Sequence, residues 1–248
     1  MIQVVCVKQV ADTDTRVKVA GDGKSLDPAG VTWILNPYDE FAVEQALQLR
    51  DATGGEVIAI TVGGAGVSTM LRNVLAMGAD RAVHLKADGA GSPLAVAEAL
   101  AAEIRSLAAD LVWFGKQAVD DDAAQVGPMV AEKLGVPCAT GIARFELKER
   151  LATVEREIEG GREVIELTLP AALTTDKGLN TPRFASLKGI MAAKKKPIDE
   201  KPVTLSSGGL EVLSLALPPP RGAGRVVGQG AAAVPELIRA LRQEAKVI

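Results

Sequence analysis

Aromatic side chains are scarce: two Trp, one Tyr and four Phe make up 3% of the 248 residues, so few rings exist on which nucleic-acid bases could stack. Excess positive charge is missing too. The 28 Lys and Arg are outnumbered by 31 Asp and Glu, a net charge of −3, and neither nucleic acid nor an anionic membrane is an expected partner. Histidine occurs once, as His84 in the apolar run Ala82 to Leu85. With no HExxH, Ser/His/Asp or Cys/His arrangement, metal or general-base chemistry has no residues to use, and His84 reads as a core residue. The two cysteines, Cys6 and Cys138, are far apart in apolar surroundings; a disulfide framework is excluded and reduced core thiols are expected. No stretch approaches the roughly 20 apolar residues of a membrane span. The strand-like start MIQVVCV shows no signal or transit segment, so a cytoplasmic protein is expected.

What is present is α/β alternation. Apolar strand-like runs at Gln3–Val7, Val57–Val62, Arg81–Leu85 and Leu111–Phe114 alternate with helical patterns at Asp39–Arg50, Val67–Met77, Pro93–Leu107 and Asp122–Leu134. This order predicts crossover connections and a mainly parallel, Rossmann-like sheet. Asn36-Pro37 marks the entry of the first helix and Gly54-Gly55 its exit, while Gly63-Gly64-Ala65-Gly66 joins the second strand to the second helix.

The segment Leu111 to Leu134 changes character within a few residues. A buried strand ends at Gly115, a helical pattern of Val126, Met129, Val130 and Leu134 follows, and a polar elbow lies between. A helix entered from the carboxyl end of a parallel strand offers unpaired N–H groups where α/β proteins bind nucleotides, so Gly115 to Val126 is a candidate nucleotide cradle. Asp120-Asp121-Asp122 would repel a phosphate. A cradle therefore requires those carboxylates to turn away or to accept from ribose hydroxyls or loop amides, with backbone N–H groups and Gln125 facing the phosphate.

Beyond Leu134 the pattern becomes strand-like at Ile142–Leu147, Leu151–Ile158 and Arg162–Leu169, with Glu159-Gly160-Gly161 as a hairpin reversal, and Leu169 to Leu173 reads as a buried strand. We place the end of the α/β domain, residues 1–190, near Ile190. Residues 191–248, with Lys194-Lys195-Lys196, Pro218–Pro220 and an apolar end at Val247-Ile248, read as a tail or as an arm anchored on a partner chain.

Several separated motifs occur in one order: VKQVADTDTRVKV, LNPYDEFAVEQAL, LAMGADRAVHL, GKQAVDDDAAQVGP, VEREIEGGREVIELTLPAALT and LNTPRFASLKGIMAAKKKPI. Over almost its full length the chain resembles the beta subunit of electron transfer flavoprotein. The resemblance implies an adenine nucleotide alpha hydrolase-like fold with a β-hairpin and a C-terminal arm, and a heterodimer with an alpha subunit that holds most of a shared FAD. It implies an electron carrier rather than a catalyst, taking electrons from acyl-CoA or other dehydrogenases to a quinone-linked acceptor. The compartment implied is the cytoplasm of a bacterium or archaeon, or the mitochondrial matrix in a eukaryote.

Carried over by position, the nucleotide pocket comprises Cys6, Asn36, Pro37, Tyr38, Asp39 and Gly63, together with Gly115, Lys116, Gln117, Ala118, Val119, Asp120, Asp121, Asp122, Ala123, Ala124, Gln125 and Val126. AMP is the expected ligand. Members that hold it usually show DDDCNQT where this chain has DDDAAQV, whereas members with a second FAD, which bifurcate electrons from NADH, usually show DGDTAQVGP. The second flavin remains the alternative. Thr13 stands where several members place a tyrosine against the flavin, and cannot stack there. Leu187, with Lys194, Lys195 and Lys196, matches the loop that docks partner dehydrogenases. An ATP-hydrolysing or adenylating enzyme is the competing class, but Ser207-Gly208-Gly209 lies in the arm, not after the first strand.

Overall fold

A run of buried β-branched residues next to the N-terminus supplies the central strand, around which the rest is wound. The computed structural model describes residues 1–87, 89, 91–206, 211–220 and 222–248. In chain order the first half comprises β1 (Ile2–Cys6), β2 (Gln9–Ala11), β3 (Trp33–Leu35), α1 (Pro37–Thr53), β4 (Glu56–Gly63), α2 (Ser68–Met77), β5 (Arg81–Lys86), α3 (Pro93–Leu107), β6 (Leu111–Gly115) and α4 (Val126–Leu134). The second half comprises β7 (Cys138–Lys148), β8 (Leu151–Ile158), β9 (Gly161–Thr168), β10 (Ala171–Thr175), α5 (Leu187–Ala193), β11 (Ile198–Pro202) and α6 (Val234–Arg239). The expected mixed α/β architecture, with a large and mostly parallel central sheet, is observed.

Nine strands form the main sheet in the order β11-β5-β4-β1-β6-β10-β7-β8-β9, parallel from β11 to β7 and antiparallel across β8 and β9. Alternate residues of the central strands enter opposite layers, as the pleat requires. Val5, Ala59 and Trp113 pack with Leu47 of α1 and Leu71 of α2; Val4, Ile60 and Val112 pack with Leu100 of α3 and Val130 of α4. From β1 the chain moves outward through β4 to β5, then α3 carries it back across to β6 on the other side of β1. The carboxyl ends of β1 and β6 thus flank a topological switch point, where a crevice opens because the two connections leave in opposite directions.

Local chemistry sets the element ends. Pro37 occupies the first turn of α1, Asp39 and Glu40 sit at its positive end and Arg50 at its negative end, and Gly54 closes it at φ 77°. The Ser92 hydroxyl accepts from the Ala95 N–H to cap α3. Gly160, at φ 79°, turns the two-residue hairpin between β8 and β9 in the expected place.

Two expectations need correction. The helix read from Asp122 begins four residues later, at Val126, because Asp122 (φ 51°) and Ala124 (φ 52°) are left-handed and cannot propagate a right-handed helix. The α/β unit does not stop near Ile190. Ala193 is buried against the core and β11 pairs along β5 as an edge strand, so the sheet reaches Pro202. Proline is tolerated there because an edge strand leaves one row of backbone groups unpaired. Beyond it the described arm is largely exposed, Leu215 N–H bonds Gly23 O at 2.7 Å, and the chain ends with α6 and a π-helical turn at Ala240–Ala245. Ser207-Gly208-Gly209 lies outside the described residues.

Candidate functional site

A cavity of about 220 Å³ opens at the switch point. Cys6 and Val7 follow from β1, Ile60 to Val62 from β4, Pro93, Val96 and Leu100 from α3, and Phe114 to Gly127 from the end of β6 into α4, although Val119, Asp120 and Asp122 are not part of its wall. Of the residues expected in a nucleotide pocket, Cys6, Asn36, Asp39, Gly115, Lys116, Gln117, Ala118, Asp121, Ala123, Ala124, Gln125 and Val126 share this wall. Pro37 and Tyr38 lie behind it, in the first turn of α1. Gly63 lies at its side, where its carbonyl meets His84 Nε2 at 2.9 Å and the Ala87 N–H at 3.2 Å.

The carbon skeleton is fitted closely. A Cβ on Gly115 would lie 2.3 Å from Asp39 Oδ1 and 2.7 Å from the Tyr38 carbonyl carbon, and one on Gly127 would lie 2.7 Å from Thr174 Cγ2. Only glycine lets the end of β6 and the start of α4 approach α1 and β10 so nearly. α4 has no side-chain cap, and Pro128 contributes no N–H, so the N–H groups of Val126 and Gly127 have no partner among the described residues and can serve a ligand or water.

Two carboxylates of the acidic trio share one cation and the third accepts from a neutral amide. Lys8 Nζ bridges Asp120 Oδ1 at 2.8 Å and Asp121 Oδ2 at 3.1 Å, and Gln117 Nε2 donates to Asp122 Oδ1 at 2.6 Å. Burial alone would lower the Lys8 ammonium, but the bonds to Asp120 and Asp121 hold it above its ordinary value. Asp120 and Asp122 stand outside the cavity wall, whereas Asp121 stays in it with its carboxylate on Lys8. Lys8, like Thr61 and Gly127, lines the cavity but was not read from the sequence as a pocket residue. Its only signal was a lysine directly after an apolar strand, at the carboxyl edge of the sheet.

Lys116 Nζ pairs with Asp176 Oδ2 at 2.8 Å, which directs this cation toward β10. The Thr61 hydroxyl, in the cavity wall and buried, has no hydrogen-bond partner among the described residues. Burial first, and the charge of Asp39 second, push the Cys6 thiol well above its ordinary range, so it stays protonated. Cys6 and Cys138 are free thiols. No metal-binding cluster occurs among the described residues, and none of their helices is long and apolar enough to cross a membrane.

The residues assigned to partner docking lie elsewhere. Leu187 opens α5 and is 83% exposed, Lys194 and Lys195 follow in solvent, and Thr13 is exposed in a turn after β2. Lys196 differs from the lysines beside it. Its ammonium donates to Leu75 O at 3.0 Å and Ala79 O at 2.6 Å, closing the end of α2, so it cannot also be a free docking charge.

A mainly parallel sheet with helices on both faces and a cleft at its switch point places the protein in the doubly wound α/β class. A model of the electron transfer flavoprotein domain matches residues 25–206. The electron transfer flavoprotein subunit beta of Bradyrhizobium diazoefficiens is 43% identical over 249 residues, with 98% of each chain covered. Its counterpart in Bacillus subtilis is 39% identical over 255 residues, and the mitochondrial one of Oryza sativa subsp. indica is 44% identical over 254, both at 98% coverage of each chain. The chain belongs to the electron transfer flavoprotein family, among its beta subunits.

Proposed function

We propose that this chain pairs with an alpha subunit and holds AMP as a structural ligand in the switch-point cavity. The pair carries electrons through a shared FAD from acyl-CoA or other dehydrogenases to a quinone-linked acceptor. The observation that carries the AMP reading is the elbow. A glycine-tight approach, an uncapped α4 with free N–H groups and an acidic trio already engaged by Lys8 and Gln117 together make a site for an anionic group. The unpartnered Thr61 hydroxyl supplies a further polar contact in the same wall. Asn36, Asp39 and residues 115–127 would hold the nucleotide; AMP has no redox chemistry and adds only binding energy to the fold. FAD, when bound, supplies the electron-carrying ring, and nothing in this chain's cavity need touch its reacting atoms.

Support for an alpha partner comes from the relatives, which are beta subunits, and from the arm, where Leu213 (76%) and Val226 (82%) stand in solvent. Denaturing the purified heterodimer and identifying the released nucleotides tests the whole reading. One FAD and one AMP per pair is the expected result. Two FAD would replace it with a bifurcating, NADH-oxidising carrier, and no adenine nucleotide beyond the shared FAD would overturn the assignment of the cavity.

A further inference from the structure

Asp39 stands where three separate stretches of chain meet. One carboxylate oxygen accepts from the Lys8 N–H at 2.7 Å; the other accepts from Asn36 Nδ2 at 2.9 Å and from the Gly115 N–H at 3.1 Å. Asn36 passes the restraint into the elbow, donating to Gln117 O at 2.9 Å and accepting from the Val119 N–H at 3.2 Å. The end of β1, the entry of α1 and the end of β6 are therefore tied through a single buried side chain. Three donors and no acceptor suit a carboxylate. A neutral carboxyl has to direct its own O–H at an N–H or leave one donor unpaired, and a buried unpaired donor is costly.

Resting on the reading that this cavity holds an adenylate, we propose that Asp39 is the positioning residue of the site and that its protonation loosens the elbow and releases the nucleotide.

The surrounding groups leave this role to Asp39. On the β1 side, Cys6 remains a thiol and Lys8 remains charged, its ammonium spent on Asp120 and Asp121. At the end of β6, Lys116 is held above its ordinary value, first by its bond to Asp176, and stays in that pair. On α1, burial raises the neighbouring Glu40, but its side chain takes part in none of these bonds. Burial pushes the Asp39 carboxyl up to about 7 in spite of its three donors. The sign follows directly. Above that value the carboxylate accepts from all three stretches; as pH falls through it, the group gains a proton and the tie is lost.

The test uses the purified heterodimer, desalted at a series of pH values from about 5.5 to 9, with retained AMP and FAD quantified after denaturation. AMP retention is expected to be complete in the alkaline arm and to fall as pH is lowered, with a midpoint below about 7 because bound nucleotide favours the ionised carboxylate, while FAD retention stays level. Asp39→Asn mimics the protonated form and should lose AMP roughly 10-fold faster in the alkaline arm, as expected for one lost charge-assisted bond, and should lack the wild-type step, keeping only the dependence of AMP's own phosphate. A residue that only supported the fold would shift melting without changing the shape of this profile. AMP retained equally across the series by the wild-type pair, which requires no variant to fold, would overturn the inference and leave the site assignment standing, as would an Asp39→Asn profile that keeps the wild-type midpoint. A wild-type pair holding no AMP even in the alkaline arm would remove both.

Discussion

Gly115 carries a constraint out of proportion to its size. Its missing Cβ is what allows Asp39 and Tyr38 to lie against the end of β6, and the nearest atom is on a buried carboxylate already fixed by three bonds, not a flexible tip. Gly115→Ala should therefore cost about 1–3 kcal/mol of stability, the usual range for overpacking, and should empty the cavity of nucleotide. Thermal melting and nucleotide content of the heterodimer measure the two effects. At this scale the sequence was partly legible. The elbow was readable because a strand-ending glycine, a polar run and a helical pattern lie side by side in the chain. Lys8 was not, since it acts on Asp120 and Asp121 across a gap of more than a hundred residues that only the fold closes. Asp39 was read at the helix entry and lies in the cavity wall, but its work as a tie between three segments depends on burial and partners that no local pattern reveals.

Among the elements, α5 and β11 were the least legible. Ile198–Pro202 reads as a charged, proline-ended tail, and its strand character comes entirely from the edge of β5. α1, β8 and β9, by contrast, announce themselves through periodicity and through Gly54 and Gly160. The same long-range packing separates three adjacent lysines. Lys196→Ala should uncap α2 and cost about 1 kcal/mol, lowering Tm by roughly 2–4 °C in a chain of this size. Lys194→Ala and Lys195→Ala should leave Tm unchanged and instead slow encounter with an acidic partner, an effect that vanishes at high salt. Differential scanning fluorimetry and stopped-flow reduction at two ionic strengths distinguish these outcomes. Equal melting losses for all three would show that the contact with Leu75 and Ala79 does not hold α2.

The molecule as a whole separates its two proposed tasks spatially, with the cavity at the switch point and the exposed apolar residues on α5. Leu187 projects from a helix seated closely on α2, where a Cβ at Gly189 would lie 2.3 Å from Ala76 O. A rigidly mounted, solvent-facing leucine is a suitable anchor for a partner that must dock and leave. Leu187→Ala is expected to weaken reduction by the partner dehydrogenase by roughly 10-fold or more, with FAD and AMP content unchanged. Unaltered transfer kinetics would transfer the docking role to another surface.

The arm has a consequence for the life of the protein in the cell. A newly made copy carries uncovered Val212, Leu213, Leu215, Leu217 and Val226 along its arm, with few bonds among the described residues to keep it folded back. Such an arm invites chaperone capture and proteolytic trimming until a mate sheathes it. Orphan copies should thus be short-lived, and pulse-chase labelling with and without co-synthesis of the mate should show turnover slowing once the two are made together. Cellular stock would then be set by matched synthesis of the two chains, with surplus cleared at its exposed tail.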